Sequence, residues 1–233
     1  DAVLTSVYLI FTTGYVAGPD EPRDLCREAE FLMRLIDRLR PDDPEIEGAL
    51  AMMLLTGARR AARIGPDGAA LPPGEQDRGL WDGARIAEGR TILSRAVERR
   101  RPGPFQIKAA IADCQMADPA PDWPQIAALY GALLRHEPTA VVRLNAAVAI
   151  AEAGDPARGL AIVATLGDAL SGYQPWHAAH AALLAMTGDI TGARAAYRHA
   201  IATAPTPAEA RFLERRLEAL TEGPRSPSPP SEA

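Results

Sequence analysis

The chain has little cysteine, one lysine and few aromatic residues. Cys26 and Cys114 stand far apart in 233 residues and form neither a disulfide framework nor a Cys-x-x-Cys pair. A reduced, cytoplasmic setting is the expectation. Of 25 basic residues only Lys108 is lysine; the rest are arginine, which reads as GC-rich coding and not as function. The net charge of −5 lacks the basic excess of a general nucleic-acid binder. No long apolar run is available to cross a membrane, and the start carries no signal-peptide pattern. Also missing are G-x-S-x-G, a phosphate-cradling glycine loop and H-E-x-x-H. Acidic residues are spread over solvated helix faces. The expectation is a non-enzymatic protein without cofactor or metal. Hydrophobic residues make up 47% of the chain but aromatics only 5%, which favours closely packed, alanine-rich helices.

What is present is a repeat. Between Thr139 and Pro205, Gly154-Asp155 matches Gly188-Asp189 at an offset of 34 residues, and Gly159 matches Ala193 and Val163 matches Tyr197 at the same offset. That offset is the period of the tetratricopeptide helix–turn–helix unit. Ala193, Tyr197, Ala200 and Pro205 supply its small, aromatic, small and closing positions. Gly188 suits the left-handed end of a first helix, and Asp189 suits the next N-cap. A weaker copy precedes these, with Tyr130 and Pro138 spaced like Tyr197 and Pro205. The fold expected is all-α: a tetratricopeptide-like, right-handed superhelical stack of helical hairpins with about eleven helices and no strands.

In chain order, a helix is predicted over 2–13, ended by Gly14, with Val3, Leu4, Val7, Tyr8, Ile10 and Phe11 apolar. It starts in mid-pattern, so a preceding segment is expected. A loop with Gly18, Pro19 and Pro22 follows. The next helix, 22–40, has Leu25, Ala29, Leu32, Leu35, Ile36 and Leu39 on one face. A third, 45–56, turns Ile46, Leu50, Met53 and Leu54 inward. Residues 57–76 lose helical periodicity and read as a long functional or mobile loop. A long helix then runs to about residue 100. Thr206-Pro207-Ala208-Glu209 is a capping box opening a final, polar-backed helix that carries Phe212, Leu213, Leu217 and Leu220. The organisation expected is 1–76 as helical hairpins with the loop and 77–222 as repeats with a capping helix, together one continuous domain. Residues 223–233, rich in Pro and Ser, form a disordered tail.

Two polar clusters stand out. The first is Arg59, Arg60 and Arg63 with Gln76, Asp77, Arg78, Trp81 and Asp82. Arg and Trp are typical interface anchors, and an internal Arg–Asp network tying down the 57–76 loop is the plainer alternative. The second is Arg143 and Asn145, placed for the concave face of a repeat or for a hydrogen bond between helices. His177 and His180 lie one turn apart, but a third ligand is lacking nearby; repeat packing is the simpler reading. His136 and His199 read as surface residues.

Seven stretches, in order, resemble one family. They are VYLIFTTGY (7–15), LLTGARRAARI (54–64), EQDRGLWDGARIAEG (75–89), GPFQIKAAIA (103–112), DWPQIAALYGALL (122–134), VVRLNAAVAIAE (141–152) and FLERRL (212–217). Together they resemble the C-terminal tetratricopeptide-like extension of bacterial extracytoplasmic-function RNA polymerase sigma factors. Thr12-Thr13 stand where that family usually has Asn-Glu. The resemblance implies a regulatory extension that works by protein contact. Its implied partners are RNA polymerase core and the promoter-reading domains, which are not among these residues. It implies no direct DNA contact by this region and no membrane. Two other readings stay open: a free-standing peptide-binding scaffold with a groove lined by the first helices of 104–187, and an enzyme or small-molecule sensor built on the Arg59–Asp82 region.

Overall fold

The computed structural model describes residues 2–17 and 24–222. The loop residues Gly18, Pro19 and Pro22 and the tail from Gly223 lie outside the described residues. Among the described residues the chain is all-α, with twelve α-helices and no strand beyond an isolated bridge between Ile64 and Ala70. The helices are α1 (Ala2–Ala17), α2 (Leu25–Leu39), α3 (Pro44–Gly57), α4 (Gly83–Glu98), α5 (Pro104–Cys114) and α6 (Trp123–Leu133). They continue with α7 (Ala140–Glu152), α8 (Pro156–Ala164), α9 (Gly167–Leu170), α10 (Gln174–Met186), α11 (Ile190–Ala202) and α12 (Pro207–Glu222). Three single-turn 3-10 segments, Arg60–Ala62, Pro73–Glu75 and Arg78–Leu80, lie between α3 and α4. The helix beyond the expected number is α9, whose four residues are too few to show a period.

Local chemistry accounts for most helix starts. Asp24, Asp43, Asp82, Asp122, Asp155 and Asp189 each accept a hydrogen bond from an N–H of the first turn, and Thr139 does the same for α7. These side chains satisfy donors that a helix leaves unpaired. Helix α5 is capped from elsewhere. Its N-cap is Gly103, and the Glu45 carboxylate of α3 accepts from Phe105 N (2.9 Å) and Gln106 N (3.2 Å). At α12, Thr206 Oγ1 accepts from Glu209 N, and the hydroxyl itself meets the Glu209 carboxylate at 3.1 Å.

The buried residues form successive clusters along the chain. The first, from Leu4 to Met116, joins α1 to α5 and runs across residue 76. The next joins α5, α6 and α7, a third α7 to α10, and the last α10, α11 and α12. Pairs α7–α8 and α10–α11 are equivalent at the 34-residue offset. Gly154 (φ 109°) and Gly188 (φ 88°) both take the left-handed conformation that ends the first helix of each pair. In the second helices, Gly159, Val163, Ala193, Tyr197 and Ala200 are buried. A Cβ on Gly159 would sit 2.7 Å from Ala147 O, so α7 and α8 touch backbone to backbone there.

Two local expectations are corrected. Gly14 does not end α1, which continues to Ala17. Its missing Cβ instead lets α2 approach, because a Cβ there would lie 2.8 Å from Cys26 N. On α2, only Ala29 of the expected apolar face is buried. The helix is held by Cys26, Ala29 and Met33, while Phe31, Leu32, Leu35 and Leu39 are exposed.

The 57–76 segment is tied to the far end of the chain. Ala70 N donates to Ala208 O (2.9 Å), Arg215 pairs with Asp67 (3.1 Å) and Arg216 pairs with Glu75. The polar back of α12 is therefore a docking face for this loop.

Candidate functional site

The residues of the first cluster disperse into different tasks. Arg60 pairs with Asp24 at 2.6 Å, joining the end of α3 to the start of α2. Arg63 donates to Tyr15 O and lies over the Tyr15 ring, 4.8 Å from its centroid. Asp77 accepts from Gly79 N and Asp82 from Arg85 N, both as caps. Arg78 donates to Ala117 O (2.7 Å) and Asp118 Oδ1 (3.1 Å) and covers the Trp81 ring. Trp81 packs against the first core cluster, and its buried Nε1 has no hydrogen-bond partner among the described residues. Gln76 Nε2 donates to Leu71 O within the loop. Asp77 and Asp82 thus serve helix starts, and the arginines reach other partners: Asp24, backbone carbonyls and Asp118.

Arg59 is different. It is only 4% exposed, and its guanidinium lines a cavity of about 350 Å³ between α1, α3, α5, α6 and α7. Its Nη2 donates to the Gln115 amide oxygen at 2.9 Å, and its buried Nε has no acceptor among the described residues. Burial lowers its pKa, with only Tyr15 acting the other way.

Asn145, from the second cluster, lines the same cavity from α7. Arg143, two residues earlier, points into a separate hollow beside Arg158 and Ile162. Helical geometry explains the split, since positions i and i+2 lie on different faces. The structure therefore joins Arg59 with Asn145 and separates both from the remaining named residues.

The other polar walls are Tyr8 and Tyr15 of α1, Lys108 of α5 with Gln115 just after it, and Tyr130 of α6 with Glu137 beyond its end. Lys108 Nζ meets Glu137 Oε1 at 2.8 Å and lies over the Tyr8 and Phe105 rings. Burial and the neighbouring Tyr8 push the Tyr130 hydroxyl up to about 12. Burial, with Glu137 and Tyr173, also raises Tyr8. Apolar walls come from Met52, Ile111, Leu133 and Val142. Five of the seven family-like stretches converge here: 7–15, 54–64, 103–112, 122–134 and 141–152 each contribute lining residues. That convergence was the available signal for Tyr8, Tyr15 and Lys108.

Residues 1–97 match a family of unknown function, DUF6596. Over 229 residues the chain is 42% identical to an uncharacterized protein of Rhizobium meliloti (strain 1021); the match covers 96% of this chain and 54% of that protein. The chain spans about half the length of the curated relative it matches. No solved structure matches. The family-matched part carries Arg59 and both α1 tyrosines, whereas Lys108, Tyr130 and Asn145 lie beyond it.

Away from the cavity, His177 and His180 join an aromatic group. The His180 ring stacks on Trp176 (5.1 Å), and the His177 ring lies 4.2 Å from that of His199. His199, expected on the surface, is exposed yet engaged in this contact. No group of three or more metal-ligating side chains occurs among the described residues, and no helix there is long and apolar enough to cross a membrane.

Proposed function

We propose that the chain is the regulatory C-terminal extension of an extracytoplasmic-function sigma factor. In this reading it works in the cytoplasm by contact with the factor's own promoter-reading domains and with RNA polymerase core. The observation that carries the contact is the outer face of α2. Phe31 (61% exposed) and Leu39 (72%) stand there with Leu32 and Leu35 at helical spacing, a row that water disfavours and a protein partner would cover. The sigma-factor part of the reading rests on the family-like stretches. A relative about twice as long leaves room for the promoter-reading domains. The finer fold reading is a tetratricopeptide-like superhelix. It is supported by the 34-residue equivalence of α7–α8 and α10–α11, by the small residues at their crossings and by cores that pass from one helix pair to the next.

The test uses the full-length protein. Phe31→Asp with Leu35→Asp should leave the helical circular dichroism intact, weaken calorimetric binding to the promoter-reading domains or to core by about tenfold or more, and change promoter-driven transcription. Deleting residues 1–233 with no change in transcription or in core binding overturns the reading.

A further inference from the structure

We propose that the cavity at Arg59 is a binding site for a compact monocarboxylate with an apolar body, either a free acid or the C-terminus of a peptide. The inference stands on the cavity alone, whether or not the chain serves a sigma factor.

The first ground is charge. Arg59 is almost wholly buried, donates only to the neutral Gln115 amide, and makes no ion pair among the described residues. A buried charge is costly without a counter-charge. The other cation of the cavity, Lys108, is matched by Glu137. Two cations and one carboxylate leave one positive charge in the lining, so the complement is a single negative charge.

The second ground is shape and polarity. The planar guanidinium suits the two oxygens of a carboxylate. Asn145, Thr139 and the Tyr15 and Tyr130 side chains supply further hydrogen-bonding groups around the same space, and Ile111, Leu133 and Val142 offer an apolar wall. At about 350 Å³ the cavity falls within the roughly 300–1,000 Å³ span of ligand pockets. The third ground is placement. Helices α1, α3, α5, α6 and α7 all border it, so an occupant would bridge the first core cluster and the repeat-like half.

The test is a thermal-shift and calorimetric series on the 233-residue chain with acetate, isovalerate, benzoate, benzamide, inorganic phosphate and an Ala-Val-Leu peptide with a free or an amidated C-terminus. The expected result is that at least one carboxylate raises the unfolding midpoint, while benzamide and the amidated peptide do not. Benzoate or isovalerate acting more strongly than the peptide identifies a free acid; the reverse identifies a chain terminus. Arg59→Met should reduce binding about tenfold or more, as expected for losing a charge-assisted hydrogen bond. Without ligand, the same variant should melt no lower than the parent. Val141→Trp, at the exposed cavity rim, should block entry while Arg59 is kept, and should abolish the shift even if Arg59→Met misfolds. The proposal falls if none of the carboxylates shifts the parent chain, if phosphate or benzamide matches them, or if the shift survives Val141→Trp.

Discussion

Arg99 clamps Glu47. Its Nε donates to Glu47 Oε2 at 3.0 Å and its Nη2 to Oε1 at 3.2 Å, while Arg95 Nε meets the same Oε1 at 2.7 Å. Glu47 is 1% exposed, in the first turn of α3, and both arginines come from the end of α4. A carboxylate so placed needs its counter-charges. Arg95→Ala leaves the two-bond Arg99 contact and should cost little. Arg99→Ala should cost more, and the double variant should lose about 3 kcal/mol or more, because the carboxylate is then buried and unpaired. Urea unfolding of the three variants checks this order. Equal losses for both single variants would show that the clamp is not asymmetric.

Gly48 lies where α3 crosses α5. A Cβ there would stand 2.6 Å from Gln106 N and 2.9 Å from Gln106 Cα, atoms that cannot move without shifting α5. Gly48→Ala should therefore destabilise by about 1–3 kcal/mol despite alanine's better helix propensity. Gly131 in α6 has nothing within 4 Å of the same position. Gly131→Ala should stabilise by about 0.5–1 kcal/mol. Opposite signs in denaturant midpoints are the expected outcome. A stabilised Gly48→Ala would mean that the helices are not in backbone contact.

Helix starts were readable where each depends on two to four adjacent residues: Asp189-Ile190 and the Thr206-Pro207-Ala208-Glu209 box carry their caps with them. The 34-residue register was readable for the same reason, through Gly154 and Gly188. Other features depend on what arrives from a distance. Gly14 looks like a helix end by local rule, but Cys26 of the next helix needs its missing side chain. The α2 stripe of Leu32, Leu35 and Leu39 has the right period, yet α1 and α3 meet the adjoining stripe of Cys26, Ala29 and Met33. The cavity is the extreme case. Tyr8, Arg59, Lys108, Tyr130 and Asn145 come from five helices or their ends, and no local pattern marks them as neighbours. Arg59 was picked for its company of arginines, but of Arg59, Arg60 and Arg63 it alone lines the cavity.

His180 should make the fold sensitive to mild acid. Burial, and then the neighbouring His177, lower its pKa from the ordinary 6.5. In the unfolded chain the imidazole takes up its proton around 6.5, while the folded chain resists until a lower pH. Between those values the unfolded state binds more protons, so stability rises with pH. The contribution is complete above the unfolded value and is lost as pH falls through the folded one. Thermal midpoints should drop as pH falls below the ordinary imidazole value of about 6.5. His180→Phe keeps a ring against Trp176 and should flatten the slope. An unchanged slope in that variant would assign the acid response to other groups.

The left-handed glycines between paired helices supply the last prediction. Gly154 and Gly188 have open space where a Cβ would go, so sterics with neighbours do not require glycine. Their φ values of 109° and 88° do. An L-residue with a Cβ is strained there whatever the room around it, at roughly 1–2 kcal/mol. Gly188→Ala should lower stability by about 1 kcal/mol, and Gly188→Asn by less, since asparagine tolerates the left-handed region better. Gly154→Ala should match Gly188→Ala, because the two turns are equivalent at the 34-residue offset. Guanidinium unfolding of the two alanine variants compares them directly. A cost at one turn and none at the other would break the equivalence of the α7–α8 and α10–α11 pairs, and with it the main support for a tetratricopeptide-like stack.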